Sequence, residues 1–354
     1  MELLDILKQT LNMGGSDIFI VPGSPVMVKV KGHLESVFPE RVMPEDTEKL
    51  IHQTYELAKN REMTLLLQDG DDDFSFSLER LCRFRCNAYR QRGTLAAAYR
   101  VLTFGLPDPR KLNIPELVID LATLRNGMVL VTGPAGSGKS TTLACIVDCI
   151  NQSRSGHIIT IEDPIEYLHG HRRSLVSQRE VPADAPTFAR ALRAALRQAP
   201  DVIMLGEMRD EETMQTAITA AETGHLLLSS LHTVGAAKTI DRIVDAFPPN
   251  QQQQVRIQLS MVLRAVVSQR LVPTLDGGLA PVFEVMTVTS AVQNLIREGK
   301  TYQLDNVIYT GSAEQTMLSM DNELLRLCRD KRIARETAIL YAVNPDALRK
   351  RLPM

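Results

Sequence analysis

The residues most able to do chemistry are Gly-Pro-Ala-Gly-Ser-Gly-Lys-Ser-Thr at 133–141, which match the pattern G-x-x-x-x-G-K-[ST]. Glycines in such a loop let backbone N–H groups turn inward around phosphate oxygens. We expect Lys139 to reach the β- and γ-phosphates, and the hydroxyl of Ser140 to contact Mg²⁺. The flanking segments GMVLVT and TTLACIVDCI predict a strand and a helix, an order that aims a helix N-terminus at an anion. The predicted nucleoside triphosphate contacts are Gly133, Pro134, Ala135, Gly136, Ser137, Gly138, Lys139, Ser140 and Thr141.

Three carboxylates follow the apolar run at 158–161: Glu162, Asp163 and Glu166. Three acids in five residues repel one another unless Mg²⁺ or a proton relay uses them. We expect Glu162 and Asp163 to orient waters of the metal, and Glu166 to polarise the attacking water. The alternative is a solvated acidic turn, which the stiffening Pro164 disfavours.

A second acid, Glu207, follows the apolar run at 202–205 and gives a Walker B arrangement. We expect its strand to lie next to the strand of the phosphate loop, and its carboxylate to hold Mg²⁺ through water. An ordinary acid at a strand end is the alternative. Asp210 is predicted to cap the helix that begins at Glu211, and Arg209 to pair with Asp210 or with a partner subunit.

Two histidines, His225 and His232, bracket the apolar run at 226–231. They are roughly 23 Å apart if that run is an extended strand, so both cannot touch one phosphate. Ligands of parallel sheets bind at the carboxyl ends of the strands, which makes His232 the candidate γ-phosphate sensor. Ordinary hydrogen-bonded histidines are the alternative for both, and more so for His225.

Arginines are frequent between residues 80 and 100, and three of them could serve a phosphoryl-transfer site: Arg83, Arg85 and Arg100. A solvated basic face is one explanation. The other is an arginine finger lent to a neighbouring subunit, because the second half of the chain supplies only Lys139 as a fixed positive charge.

The elements that position these residues fall into two predicted domains. Residues 1–104 read as helix, hairpin, helix and meander, with helices and strands segregated, and 105–115 (GLPDPRKLNIP) has the proline content of a linker. From 116 to 354, nearly continuous apolar runs alternate with helices, as in a parallel sheet covered on both faces. Helices are expected at 251–265 and about 289–298, 314–329 and 334–341, with a hairpin at 270–285.

Composition excludes several classes of protein. A formal net charge of −2 and 5% aromatic residues without Trp offer no surface typical of nucleic-acid binding. The N-terminus MELLDILKQTLNM lacks the basic start of a signal peptide, and no run of 18 uncharged apolar residues occurs. Five cysteines indicate a reducing compartment and no disulfide framework. A cytoplasmic location is expected.

Four segments resemble the Walker A, Asp box, Walker B and His box of the type II/IV secretion ATPase superfamily: GPAGSGKSTT, TIEDPIE, LRQAPDVIMLGEMRDEETMQTAITAAETGH and LLLSSLHT. The resemblance spans essentially the whole chain. Three shorter segments are similar to the type IV pilus retraction ATPase (PilT) family: GSDI at 15–18, AVQNLIRE at 291–298, and EQTM at 314–317 with Met320 and Asp321. Departures from that family are Ala135 in the loop and Val292 and Gln293 in the second segment.

The resemblance implies an α/β protein with a PAS-like N-terminal α+β domain, a RecA-like core and a helical C-terminal region. It implies a homohexamer in which ATP and Mg²⁺ are used to drive pilus retraction, pilin disassembly and twitching motility. It makes Glu166 the catalytic glutamate, Glu207 the Walker B acid, and His225 and His232 the His-box pair, with the nucleotide between subunits.

The implied partner is an inner-membrane pilus platform protein, which would hold the ring at the inner face of the cytoplasmic membrane and link it indirectly to pilin. Two other functions stay open: a Dot/Icm-like type IV secretion ATPase, and a weakly hydrolysing regulatory ring subunit.

Overall fold

The computed structural model describes residues 2–30, 32–78, 82–103 and 105–352. Its chain divides into two compact units. One runs through Gly105 and includes Glu166–Leu168, and the other comprises Leu106–Ile165 and the chain from His169 onward. The sequence predicts a boundary in the same region, at the linker 105–115. The PAS-like character of the first unit stays a prediction.

The first unit is a six-stranded antiparallel sheet with helices on one face. Its strand order is β3-β2-β1-β6-β5-β4. The elements are α1 (Leu3–Asn12), β1 (Asp17–Ile20), β2 (Pro25–Val30), β3 (His33–Arg41), α2 (Pro44–Leu57), α3 (Thr64–Asp69), β4 (Asp71–Leu78), β5 (Cys82–Gln91) and β6 (Thr94–Thr103).

Period-two alternation explains why this sheet packs on one side only. In β5 the side chains of Cys82, Phe84 and Cys86 are buried, whereas Arg83 and Arg85 between them point to the other face. The buried face joins apolar residues of α1 and α2 in one core. The arginines singled out from the sequence therefore lie on the face that these helices leave uncovered. The sequence missed β3 and α3.

The second unit is a seven-stranded sheet with helices on both faces. Its strands are β7 (Gly127–Thr132), β8 (His157–Glu162), β9 (Leu175–Glu180), β10 (Val202–Leu205), β11 (Leu226–Leu231), β12 (Leu263–Pro273) and β13 (Leu279–Thr287). Its helices are α4 (Glu116–Ile119), α5 (Lys139–Ser153), α6 (Phe188–Ala195), α7 (Glu211–Glu222), α8 (Ala236–Asp245), α9 (Pro249–Val262), α10 (Ser290–Arg297), α11 (Leu304–Ala313), α12 (Met320–Arg329), α13 (Arg335–Tyr341) and α14 (Pro345–Arg351). Short 3₁₀ turns lie at Asp120–Thr123 and Thr301–Gln303.

The strand order of this sheet is β13-β12-β7-β11-β10-β8-β9. All neighbouring strands are parallel except β12 and β13, which form an antiparallel hairpin. The order corrects one expectation from the sequence. Glu207 lies two residues beyond β10, and β10 is not adjacent to β7, because β11 pairs with both and lies between them.

The core of the second unit lies on both faces of the sheet. The residues of β7 alternate between two clusters, with Met128 and Leu130 packed toward α7 and α9, and Val129 and Val131 toward α5. A third cluster joins the ends of β12 and β13 to α12, α13 and α14. Every residue of β7, β10 and β11 is buried, which explains why these strands are mostly apolar, and the polar residues Thr132, Ser229 and Ser230 are buried with them.

Several boundaries differ from the sequence prediction in the last third of the chain. The helix expected at 251–265 begins at Pro249 and ends at Val262, because Leu263 already pairs with Met128 of β7. Strand β9 and the helices α11 and α14 were not predicted. Among the described helices, none combines the length and the apolar composition that crossing a bilayer requires.

Candidate functional site

The phosphate loop connects β7 to α5, as its sequence predicts. Gly133 follows the last residue of the buried strand, and its N–H donates to the carbonyl of Leu231 on β11 (3.2 Å). The helix begins at Lys139, so the N-terminus of a 15-residue helix faces the loop. Unpaired N–H groups of a first helical turn attract anions, which makes this turn an anion site in shape and in charge.

The side chains of the loop fit a bound polyphosphate. Lys139 is mostly buried, and its ammonium donates to the carbonyls of Gly133 and Pro134 (3.0 Å each), so the charge is held within the loop. The hydroxyl of Ser137 is buried without a hydrogen-bond partner among the described residues. A buried hydroxyl left unpaired is costly, and a phosphate oxygen would satisfy it. Ser140 lies in the first helical turn with its side chain exposed.

The Walker B acid lies at the carboxyl end of β10, two strands away from β7. Both oxygens of the Glu207 carboxylate are engaged: Oε1 with Arg209 Nη2 (2.5 Å) and Oε2 with His232 Nε2 (3.1 Å). The side chain of Glu207 is only 12% exposed, whereas that of Arg209 is 70% exposed. The hydrogen bond from Arg209 to Glu207 raises the pKa of the guanidinium. Arg209 thus pairs with Glu207 and not with Asp210.

His232 lies at the same sheet edge because β11 runs parallel to both β7 and β10. The sequence argument for a strand-end histidine is confirmed in its position. Asp210 caps α7, where its Oδ1 accepts from the N–H of Thr213 (2.8 Å), as predicted. The turn between β10 and α7 therefore holds Glu207 between Arg209 and His232, while Asp210 caps α7.

The acidic segment after β8 splits into groups with different surroundings. Glu162 is buried, and its Oε1 accepts from Thr160 Oγ1 (2.6 Å) and from Gln178 Nε2 (3.1 Å). Asp163 is exposed. Glu166 is exposed and groups with the first unit by its contacts, so its catalytic role stays a prediction. The roles of Glu162 and Asp163 toward water or metal stay predictions as well.

His225 lies at the amino end of β11. The carbonyl of His225 accepts from the N–H of Gly127, the first residue of β7, and its Nδ1 contacts the carbonyl of Ala220 (3.0 Å). The phosphate loop is at the other end of the same strand pair. A nucleotide contact for His225, which the resemblance implies, remains a prediction for a site that another copy of the chain completes.

The three candidate arginines lie together on the uncovered face of the first unit. Arg85 and Arg100 are direct neighbours across β5 and β6. Arg85 makes a two-point ion pair with Asp73, whereas Arg100 contacts Asp17 (3.1 Å) and keeps 68% of its side chain exposed. Arg83 donates to Ser77 Oγ (3.3 Å). A groove of about 450 Å³ passes over this face. It is lined by Asp17, Lys29, Asp73, Arg85, Asn87 and Arg100. The role of these arginines as fingers stays a prediction.

The sequence missed polar residues on β12 and β13 that support the site. Ser268 Oγ accepts from the N–H of Gly235 (2.9 Å), and Glu284 Oε1 accepts from the N–H of Ala236 (3.0 Å). Both anchor the segment after His232. Gln269 packs beside the phosphate loop. The sequence signal was weak, because β12 also contains Arg264 and Arg270 and no motif marks Ser268 or Gln269.

Glu284 is a buried acid of this region with a raised pKa. Burial raises its pKa to about 7, and the hydrogen bond from Ala236 opposes that shift. The negative charges of Asp305 and Asp321 raise the pKa further, and Arg270 lowers it.

Among the described residues, no three His, Cys, Asp or Glu side chains group tightly enough to hold a metal ion by themselves. Magnesium in nucleotide sites commonly takes one or two protein ligands and completes its shell with water and phosphate oxygens. A serine hydroxyl at the start of α5 and a carboxylate at the end of β10 have the chemistry of such ligands. Ser140 and Glu207 therefore fit Mg²⁺ bound together with a nucleotide.

Comparison with known proteins gives one family and several whole-chain relatives. The family model "Type II/IV secretion system protein" matches residues 105–336. The type IV pilus retraction ATPase PilT of Pseudomonas aeruginosa is 40% identical over 347 residues, which cover 98% of this chain and 99% of that protein. A crystal structure of the pilus retraction motor PilT with bound ADP superposes with a TM-score of 0.91 at 45% identity, covering 99% of each chain. The Legionella pneumophila ATPase DotB superposes with a TM-score of 0.81 at 29% identity, covering 95% of this chain and 93% of that one.

Proposed function

This chain belongs to the type II/IV secretion system protein family and, within it, to the type IV pilus retraction ATPases, and from this premise we propose that it hydrolyses ATP to power retraction of a type IV pilus. One observation carries the proposal. The carboxyl ends of one set of parallel strands carry both an anion-binding loop with a buried lysine and a carboxylate that a histidine and an arginine hold in place.

The residues of this edge would divide the work of phosphoryl transfer. The loop N–H groups and Lys139 bind the phosphates and offset their charge. Ser140 and Glu207 hold Mg²⁺, which, when bound, neutralises charge on the phosphate oxygens. Glu166 orients and deprotonates the attacking water, and His232 keeps the Glu207 carboxylate in place while its ring lies at the γ-phosphate end of the strand.

Phosphoryl transfer needs a positive charge opposite Lys139, and Arg209 of the same unit is already paired with Glu207. We propose that a second copy supplies it through Arg85 or Arg100, and that the chain works as a homohexamer. The proposed partners are an inner-membrane pilus platform protein and, through it, pilin. The proposed location is the cytoplasmic face of that membrane.

Export of secreted substrates is the second candidate function. It is favoured by the likeness to DotB, which extends over nearly the whole of both chains. Both identity and TM-score are higher for the PilT structure, and pilus retraction is therefore the first choice.

The direct test measures phosphate release from ATP by the purified full-length chain, with Mg²⁺ and with EDTA. We expect hydrolysis that depends on Mg²⁺ and is lost in Lys139→Ala. Glu166→Gln should still bind ATP, and its turnover should be at least about 100-fold slower than that of the unaltered chain. Wild-type turnover in Glu166→Gln would contradict the role of that residue, and no hydrolysis by the unaltered chain would contradict the proposal.

A cellular test separates pilus retraction from secretion. The gene is expressed in a bacterium that lacks its own retraction ATPase, and twitching zones and surface pili are scored. Restored twitching with the unaltered gene, and none with Lys139→Ala, supports retraction. Hyperpiliated, non-twitching cells despite an active ATPase would favour the secretion role.

A further inference from the structure

Gln269 occupies a place that none of the nucleotide-binding motifs accounts for. It follows Ser268, which pairs with Thr132 at the end of β7, so Gln269 lies beside the start of the phosphate loop. The residue is only 4% exposed although its side chain is polar. A buried amide must find partners for its oxygen and its nitrogen, since an unpaired group destabilises the fold.

The oxygen of this amide is bound by Thr142, in the first turn of α5. Thr142 Oγ1 donates to Gln269 Oε1 (2.7 Å), and both residues are buried. The two residues are 127 positions apart in the chain. Because the amide oxygen of Gln269 accepts from Thr142, the amide nitrogen Nε2 is turned toward Gly138 at the end of the loop.

Both ends of the loop rest against Gln269. A β-carbon at Gly133 would collide with the backbone carbonyl of Gln269, and one at Gly138 would lie 2.9 Å from its Nε2. Both glycines have positive φ, +147° and +89°. The first and the last glycine of the loop therefore both lie against Gln269 of β12, where a larger side chain would clash. Their positive φ values favour glycine independently of that contact.

We propose that Gln269 is a positioning residue of the phosphate loop, oriented by Thr142, and that this pair sets the conformation in which the loop N–H groups face the phosphates. The inference rests on the proposed function in that the loop binds a nucleotide. Its physical basis is preorganisation: a loop that is ordered before binding loses less conformational entropy when the ligand arrives.

The experiment compares Thr142→Val, which removes the hydroxyl at nearly constant volume, with Thr142→Ser, which keeps it. Thr301→Val is the matched control, because its hydroxyl donates to Asp241 on α8 (2.9 Å) and it is similarly buried. Hydrogen exchange of the 133–138 amides is measured on the nucleotide-free full chain. Affinity is measured with fluorescent ADP, and melting temperature is recorded for every variant.

We expect exchange of the loop amides to be about fivefold faster in Thr142→Val, and the Kd for ADP to be about tenfold weaker, with both restored in Thr142→Ser. Thr301→Val should leave both within about twofold of the unaltered chain at a similar melting temperature. Gln269→Met should reproduce Thr142→Val, and the double variant should add little to either.

Loop exchange and ADP affinity in Thr142→Val within about twofold of the unaltered chain would overturn the proposal, since the pair would then only fill space. A chain that binds no ADP would contradict the proposed function instead. The exchange comparison would still decide whether Gln269 and Thr142 order the loop, because it is made without nucleotide.

Discussion

The Nε2 of His232 lies 3.1 Å from the Oε2 of Glu207 and joins the carboxyl ends of two adjacent parallel strands, β11 and β10. A carboxylate can only accept, so the imidazole donates through Nε2 and leaves Nδ1 as the atom that can accept when the ring is neutral. Glu207 and His232 thus form one hydrogen-bonded pair. Arg209 on the other oxygen of Glu207 completes the orientation of the carboxylate.

Glu207→Gln should abolish most of the ATPase activity while leaving nucleotide binding largely intact. Glutamine keeps the size of the side chain and can still contact His232, but it removes the negative charge that would face Mg²⁺ in the proposed site. We expect kcat to fall about 100-fold or more and the Kd for ADP without Mg²⁺ to change by less than about threefold. Steady-state kinetics and ADP titration measure both. Unchanged kcat would show that Glu207 is not the metal-side acid.

His232→Gln should slow ATP turnover by about tenfold or more, because the ring orients Glu207 at the phosphate end of β11. The comparison variant is His225→Gln, at the opposite end of the same strand and with its Nδ1 on the carbonyl of Ala220, whose nucleotide contact is a separate prediction. Mixed rings of each variant with the unaltered chain show whether that histidine acts at the site of its own subunit or at the site of a neighbouring subunit. An unchanged kcat in His232→Gln would contradict this role, whereas a loss of kcat in His225→Gln would support the predicted nucleotide contact of that residue.

Arg100→Gln should act in trans. Its side chain is 68% exposed and has one ion pair, with Asp17, so the substitution should change stability little. We expect Arg100→Gln and Lys139→Ala each to be inactive alone. In rings formed from equal amounts of the two variants, about a quarter of the interfaces should combine an unaltered Lys139 with an unaltered Arg100 from the neighbouring copy, and those interfaces should regain activity. Arg85→Gln is mixed in the same way to rank the two arginines. No recovery with either would place both arginines outside the shared site.

Glu284→Gln should stabilise the protein at neutral pH and not in acid. Burial raises the pKa of Glu284 from its ordinary value of 4.5 to about 7. At a pH between these two pKa values, the unfolded state has released the proton of Glu284, whereas the folded state retains it. Stability therefore falls as pH rises through this window, and it levels off above pH 7. Glutamine does not titrate, and its oxygen can still accept from the N–H of Ala236.

The gain in the free energy of unfolding should approach zero near pH 4.5 and reach at most about 3 kcal/mol above pH 7. Urea unfolding at pH 5 and pH 8 measures it, with Glu314→Gln as an exposed control. A gain that is equal at both pH values would contradict the raised pKa of Glu284.

Local patterns predicted much of the site. The bounds of β7, β10 and β11 agree with the mostly apolar runs read from the sequence, since both faces of these parallel strands are buried. Asp210 was predicted as a cap from its position alone. Strand β9 was missed because its residues Leu175–Glu180 alternate weakly, and its pairing with β8 supplies what the local sequence does not.

The sequence alone determined the phosphate loop, the strand-end acids and the two-part organisation, because loop chemistry, capping and hydrophobic period act over a few residues. The tertiary structure decided which strand lies beside which. It placed β11 between β7 and β10 and so brought His232 to Glu207. It also placed Gln269 against Thr142, 127 residues away. Such contacts depend on strand order and register, which are set by the packing of the whole sheet. The local sequence around either residue therefore does not indicate them.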